Sequence, residues 1–255
     1  SSYFDMFKRS DGTFSPDATM KLLHRLILFD RKYEALLMEH IGLFELQFRA
    51  RYAYFMSLKR GAFAHRNPKN FRSFLKNYQR EFNRQLSNRN GDMIRAYEMY
   101  GDAPIWLAVE AMSFGTLSKL YSNTKSKEVR AEVAAGFGAS PEELESWIRA
   151  LSSVRNTCAH FGRLCGTKLV RRPKKIPGID LDNASPFYPV LLLGYMARDW
   201  PLFADDTTLA YSLSLLIDVS QLFFDFSDIY ELTGLPDVYE APREYVRTLE
   251  YLSSL

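Results

Sequence analysis

Between residues 155 and 164 the chain reads Arg-Asn-Thr-Cys-Ala-His-Phe-Gly-Arg-Leu. The chain has four histidines, and His160 is the one set beside an arginine and an amide. An imidazole titrates near pH 6.5, so it can both take and give protons at neutral pH. Arg155 stays charged and offers a fork of donors matched to phosphate oxygens. Asn156 and His160 are one helical turn apart and share a face. Such a set can bind a phosphodiester, move its protons and balance its charge without a metal. On RNA the matching reaction is attack by a 2′-hydroxyl on its own phosphate, which leaves a 2′,3′-cyclic phosphate. At about 100° per residue, Arg155 points about 140° away from His160. It reaches the same phosphate by curling round a fraying helix end or from across a subunit boundary. Spacing alone is weak evidence: Arg-x-x-x-x-His arises by chance, and a lone histidine is more often structural.

The segment that must position this set begins at Ser140-Pro141-Glu142-Glu143. Ser140 is suited to the N-cap, Pro141 to the first helical position and the two acids to the first turn. The spacing predicts a helix from there to His160, with Gly162 closing it. Upstream, Leu26, Phe29, Tyr33, Leu36, Leu37, His40, Ile41, Phe44, Phe48 and Phe55 recur at steps of three and four, the stripe of one long amphipathic helix. Asp17, or Ser15 with Pro16, is its expected start. Further helices are predicted over 69–86, from Pro104 to about 121, over 186–198 and 206–232 on either side of a loop near 173–177, and over 241–252. No alternating strand pair is found, and the expectation is an all-α fold.

Charge divides the chain unevenly. Residues 1–100 carry 18 Lys/Arg against 10 Asp/Glu, and residues 101–255 carry 15 against 20. The chain is therefore read as a basic N-terminal helical region, 1–100, and a helical domain, 101–255, packed as one unit. A basic half suits a polyanion, although uneven solvation would give the same balance. Within it Lys69, Arg72, Lys76, Arg80 and Arg84 fall three or four residues apart, a basic ridge in which Glu81 is the one acid between Leu58 and Asn90. A one-sign ridge fits a phosphate backbone, because each neutralised phosphate releases counterions. The plainer reading is a solvated helix face whose neighbouring aromatics lie in the core.

Other function classes are disfavoured. No apolar run is long enough and free enough of charge to cross a bilayer. The cysteines, Cys158 and Cys165, form neither a zinc pattern nor a disulfide framework, which points to a reducing cytoplasm. Cys158 reads as a small buried residue rather than a nucleophile. No His/Asp/Glu ligand cluster is visible, so no metal or other cofactor is expected. The opening Ser1-Ser2 lacks a methionine, so a natural start upstream is expected. Glu45 and Arg49 are i,i+4 and read as a structural salt bridge. His40 reads as core-facing, while His24 and His65 are unassigned.

The Arg155–His160 segment with Arg163-Leu164 resembles the signature of the abortive-infection family, the AbiD/AbiF-like proteins within the HEPN superfamily of helical ribonucleases. Leu28-Phe29-Asp30-Arg31-Lys32, with Glu45 and Arg49 beyond it, is similar to the family's "FDRK" segment. Pro104-Ile105-Trp106, Glu110 and the run from Ser113 to Tyr121 are similar to its central block. These motifs keep the family order. The resemblance implies a HEPN-like helical bundle and RNA cleavage in bacterial defence against phage. In it His160 is the general base or acid, Arg155 the phosphate and charge partner, and Asn156 a positioning group. It implies a homodimer with a composite site, pairing His160 of one subunit with Arg155 of the other, and control by an antitoxin, RNA or protein. Arg163 and the loop cations Arg171, Arg172, Lys174 and Lys175 would hold the RNA backbone, or the loop is simply solvated. Two departures stand out. Phe161 occupies the place of a frequent second histidine, and Cys165-Gly166 that of an aromatic-Asn pair. The competing expectation is a non-catalytic RNA- or protein-binding module with a vestigial motif.

Overall fold

A computed structural model describes residues 3–16, 18–73, 80, 83–84, 91–197, 206–226, 247–248 and 250–251. The fold is all-α. The described helices are α1 (Met20–Arg60), α2 (Gly91–Tyr100), α3 (Ile105–Glu110), α4 (Phe114–Asn123), α5 (Lys127–Ala135), α6 (Pro141–Ala159), α7 (Tyr188–Ala197) and α8 (Asp206–Asp225). Among the described residues the only β pairing is two isolated bridges, Lys8 with Phe14 and Phe71 with Thr124. The chain forms two compact units: Ser1–Gly42 with Ser153–Leu255, and Leu43–Ser152. They partition the chain differently from the charge division at residue 100.

The long helix starts at Thr19, whose hydroxyl accepts from the Leu22 N–H at 3.2 Å, a few residues after the expected Ser15–Asp17 start; Asp17 itself lies outside the described residues. Leu26, Phe29, Tyr33, Leu37, His40, Ile41, Phe44 and Phe48 are buried as the periodicity predicts. Leu36 is half-buried, and farther on the stripe follows Tyr52 and Met56, both fully buried, while Phe55 is half-buried.

In the first unit, Phe29 and Tyr33 of α1 meet Phe187, Phe223 and Phe226 at centroid distances of 5.2 to 6.4 Å. Nearly every residue of α7 is buried. The Tyr33 hydroxyl donates to Pro186 O at 3.0 Å, fixing the chain where it enters α7. The preceding loop is tied down by Tyr188, whose hydroxyl accepts from Ile176 N at 2.7 Å.

In the second unit, Phe44, Phe48 and Tyr52 pack against Phe114, Tyr121 and Phe137, and Trp147 is fully buried. Each such ring removes a large apolar area from water, about 1.5–3 kcal/mol per fully buried side chain. The expected single helix after Pro104 is two. Pro104 is the N-cap of α3, and Ser113 caps α4 through a bond from Thr116 N. Arg49 fastens the break: its guanidinium pairs with Glu45 and donates to Val109 O, which also accepts from Met112 N at 3.2 Å, and, at 2.7 Å, to Met112 O between the two helices. Helices α2 and α5 have no counterpart in the sequence reading. The expected helix from Lys69 does not begin there, because Lys69 lies in the 3-10 turn Pro68–Asn70 and Phe71 bridges to Thr124. Proline and this pairing hold the backbone out of the helical region.

Candidate functional site

The helix that carries the motif begins as its residue types dictate. Ser140 N donates to Glu143 Oε2 at 2.8 Å, and Glu143 N donates back to Ser140 Oγ at 3.3 Å, a reciprocal capping box. Its far end sets the site. Phe161 N donates to Cys158 O at 3.0 Å and Gly162 N to Thr157 O at 2.8 Å. This is the paired-bond helix stop that uses one left-handed residue. That residue is Phe161, at φ 53°, and not the expected Gly162. Glycine is needed at 162 for closeness instead, since a Cβ there would lie 2.8 Å from Thr157 Cγ2 and 3.2 Å from Thr157 O. Holding a bulky residue in the left-handed region costs on the order of 1–3 kcal/mol, so something must hold it there.

What holds it comes from α1. Arg31 Nη2 donates to Phe161 O at 3.0 Å, and the Arg31 guanidinium carbon lies 5.5 Å from the Phe161 ring centroid. The same guanidinium donates to Glu34 Oε2 at 2.5 Å and to the Tyr3 hydroxyl at 3.3 Å. Beside it Asp30, with no exposed surface, accepts from Leu164 N at 3.0 Å, Cys165 N at 2.9 Å and the Tyr3 hydroxyl at 2.5 Å. One carboxyl thus gathers the two backbone amides that follow the motif. Asp30 and Arg31 belong to the "FDRK" segment, so two stretches about 130 positions apart in sequence form one clasp. The sequence reading gave them no role. Two adjacent opposite charges on a buried helix face were the available signal.

Burial pushes the Glu34 carboxyl up to about 7, with Arg31 pulling the other way. It also pushes the thiols of Cys158 and Cys165 up to about 12, helped by the nearby carboxyls of Glu34 and Asp30 at Cys158 and of Asp30 at Cys165. Neither is a thiolate at neutral pH, which fits Cys158 as a packing residue.

Asn156 is exposed in the last turn of α6, His160 is exposed just past its end, and Arg155 is half-buried. Arg163 follows in the loop, half-buried, with its guanidinium carbon 5.9 Å from the Tyr3 ring centroid. Arg171, Arg172, Lys174 and Lys175 are exposed in the same unit. Arg172 and Lys175 form local ion pairs with Asp182 at 3.4 Å and Asp180 at 2.5 Å. In the other unit Lys69, Arg72, Arg80 and Arg84 are exposed, with Arg80 and Arg84 helical and Lys69 and Arg72 not. The ridge is therefore not continuous from Lys69, and Lys76 lies outside the described residues. His40 is buried, 3.4 Å from Asp218 Oδ2, and His65 is buried too, whereas His24 is exposed. Among the described residues there is no group of three or more His, Cys, Asp or Glu able to hold a metal, and no helix is long and apolar enough to cross a membrane.

The model of a family described as Abi-like protein matches residues 1–165, which takes in both halves of the clasp and the whole motif. No curated protein and no solved structure matches the chain.

Proposed function

The chain belongs to the Abi-like protein family, which indicates a role in abortive infection, and on that premise we propose that it is a metal-independent endoribonuclease with a HEPN-like site at Arg155, Asn156 and His160. The observation that carries this reading is the exposed His160 at a helix end whose backbone is clasped by buried Asp30 and by Arg31. An acid-base group on a fixed backbone and open to solvent is what attack on a large substrate requires.

In this reading the neutral His160 imidazole takes the proton of a ribose 2′-hydroxyl. The 2′-oxygen bonds to the adjacent phosphorus as the bond from phosphorus to the 5′-oxygen breaks. The imidazolium returns the proton to that leaving oxygen, giving a 2′,3′-cyclic phosphate and a 5′-hydroxyl. Arg155 balances charge on the non-bridging oxygens. Carbonyls at a helix C-terminus repel an anion. Here those of Thr157 and Cys158 are occupied by Gly162 and Phe161 N–H groups, which softens that repulsion. Because Arg155 and His160 leave α6 about 140° apart, the working site pairs His160 of one subunit with Arg155 of a second copy in a two-fold dimer. An RNA or protein antitoxin and a cytoplasmic setting complete the proposal.

Two experiments test it. RNA ends sequenced from cells expressing the protein should show new cyclic-phosphate termini that vanish with His160→Ala. Mixing inactive His160→Ala with inactive Arg155→Ala should recover part of the activity. Unchanged ends with His160→Ala would overturn the nuclease, and no recovery despite subunit exchange would overturn the composite site.

A further inference from the structure

We propose that the Phe161 ring is a stacking platform for an unpaired RNA base beside the phosphate handled at His160. The inference rests on the nuclease reading and goes beyond it by assigning a residue to substrate choice.

Phe161 is the only non-glycine residue with positive φ among the described residues, and it is 75 % exposed. Folding gains little from this choice beyond the contact of the ring with the Arg31 guanidinium. Asparagine or glycine fits the left-handed region better, and a ring in water contributes little burial. Yet the backbone is fixed on every side, by Cys158 O on its N–H, Arg31 Nη2 on its carbonyl and the close Gly162–Thr157 contact after it. The result is a rigid mount for an exposed aromatic ring, one residue after the candidate acid-base group. The Arg31 guanidinium lies 5.5 Å from the ring centroid, and Arg155 and Arg163 are close in the chain. A flat apolar surface among cations matches a ligand with both a π-face and negative charge, which describes a nucleotide. The base must be unpaired, because in a duplex its faces are already stacked. Stacking reads no hydrogen-bond edge, so the preference is for purines over pyrimidines by area of overlap.

The test measures binding of a fluorescein-labelled single-stranded RNA of mixed sequence by fluorescence anisotropy. A His160→Ala background stops cleavage, and an abasic nucleotide is walked along the RNA. Phe161→Leu and Phe161→Asn should weaken binding about 5- to 150-fold, as expected for one stacked base, while Phe161→Tyr should hold it. The salt slope should not move, since no phosphate contact is lost. One abasic position should weaken binding to the protein with Phe161 and have no further effect on Phe161→Asn. Phe161→Asn should also raise Tm, because it suits the left-handed backbone, so weakened binding cannot be blamed on unfolding. Phe161→Asn or Phe161→Leu binding as well as Phe161 does would overturn the platform, as would a lowered Tm in Phe161→Asn, which makes the ring structural. Cleavage by the unaltered protein with binding indifferent to Phe161 would overturn the platform alone. Binding that depends on Phe161 without any cleavage would support the platform and overturn the nuclease. No RNA binding at all would overturn both.

Discussion

At the start of α6, Ser140 and Glu143 exchange hydrogen bonds across three positions, and every residue involved favours that arrangement. At its end, Phe161 sits in a backbone region it disfavours, and the groups that hold the turn, Asp30 and Arg31, lie about 130 positions away. The first end is closed by local chemistry at low cost. The second is strained, fastened from a distance and exposed at His160 and Phe161. The contrast teaches where to look for function: strain persists where the surrounding structure over-determines it, and such places cluster at sites of action.

The comparison can be broken by substitution. The largest effect on stability is expected from Asp30→Ala, which leaves two backbone N–H groups and the Tyr3 hydroxyl buried without their acceptor. A loss of about 3 kcal/mol or more should appear in denaturant unfolding, with Asp30→Asn in between because one acceptor oxygen survives. Arg31→Ala should cost about 1–3 kcal/mol, since it frees the Phe161 carbonyl and strands Glu34. It should also slow cleavage per folded molecule, measured at a temperature where both proteins are folded. Ser140→Ala should cost about 1 kcal/mol at the other end and leave cleavage unchanged. If Arg31→Ala and Ser140→Ala affect cleavage alike, the two ends do not differ in function.

A finer test uses pH. The folded state raises Glu34 from its ordinary 4.5 to about 7, chiefly by burial. Folding therefore favours the protonated form. Its contribution is fully present below about pH 4.5, declines as pH rises toward 7, and is level above that. The stability difference between Glu34→Gln and the unaltered protein should shift toward the variant across that window, read from Tm at each pH. A constant difference would show that Glu34 is not held in its protonated form by folding.

How much of this was legible in the sequence follows the same division. The capping box and the α1 stripe rest on residues a few positions apart, and the expected α6 and, apart from the half-buried Leu36, the core through Phe48 match the structure. The division between α3 and α4 is hidden in the sequence because the apolar spacing continues through it. Its local signal, Ser113 with Thr116, needed Arg49 of another helix to become a break. The helix expected over 69–86 does not start at Lys69 for a similar reason, since the Phe71 pairing with Thr124 is not local; most of its remaining length lies outside the described residues. At the site, Arg155, Asn156 and His160 were legible as chemistry. The clasp of Asp30 and Arg31 was not, because periodicity reports which face is buried and is silent on what that face grips.

The account's central claim, an acid-base ribonuclease at His160, is tested most directly by single-turnover cleavage of unpaired RNA in EDTA. The unaltered protein and His160→Ala should be purified identically and shown to have equal Tm. The account predicts cyclic-phosphate ends and a loss of about 10²–10⁴-fold in rate for His160→Ala, as removal of a positioned acid-base group entails. Equal rates in the two proteins, or cleavage by the unaltered protein that EDTA abolishes, would contradict it.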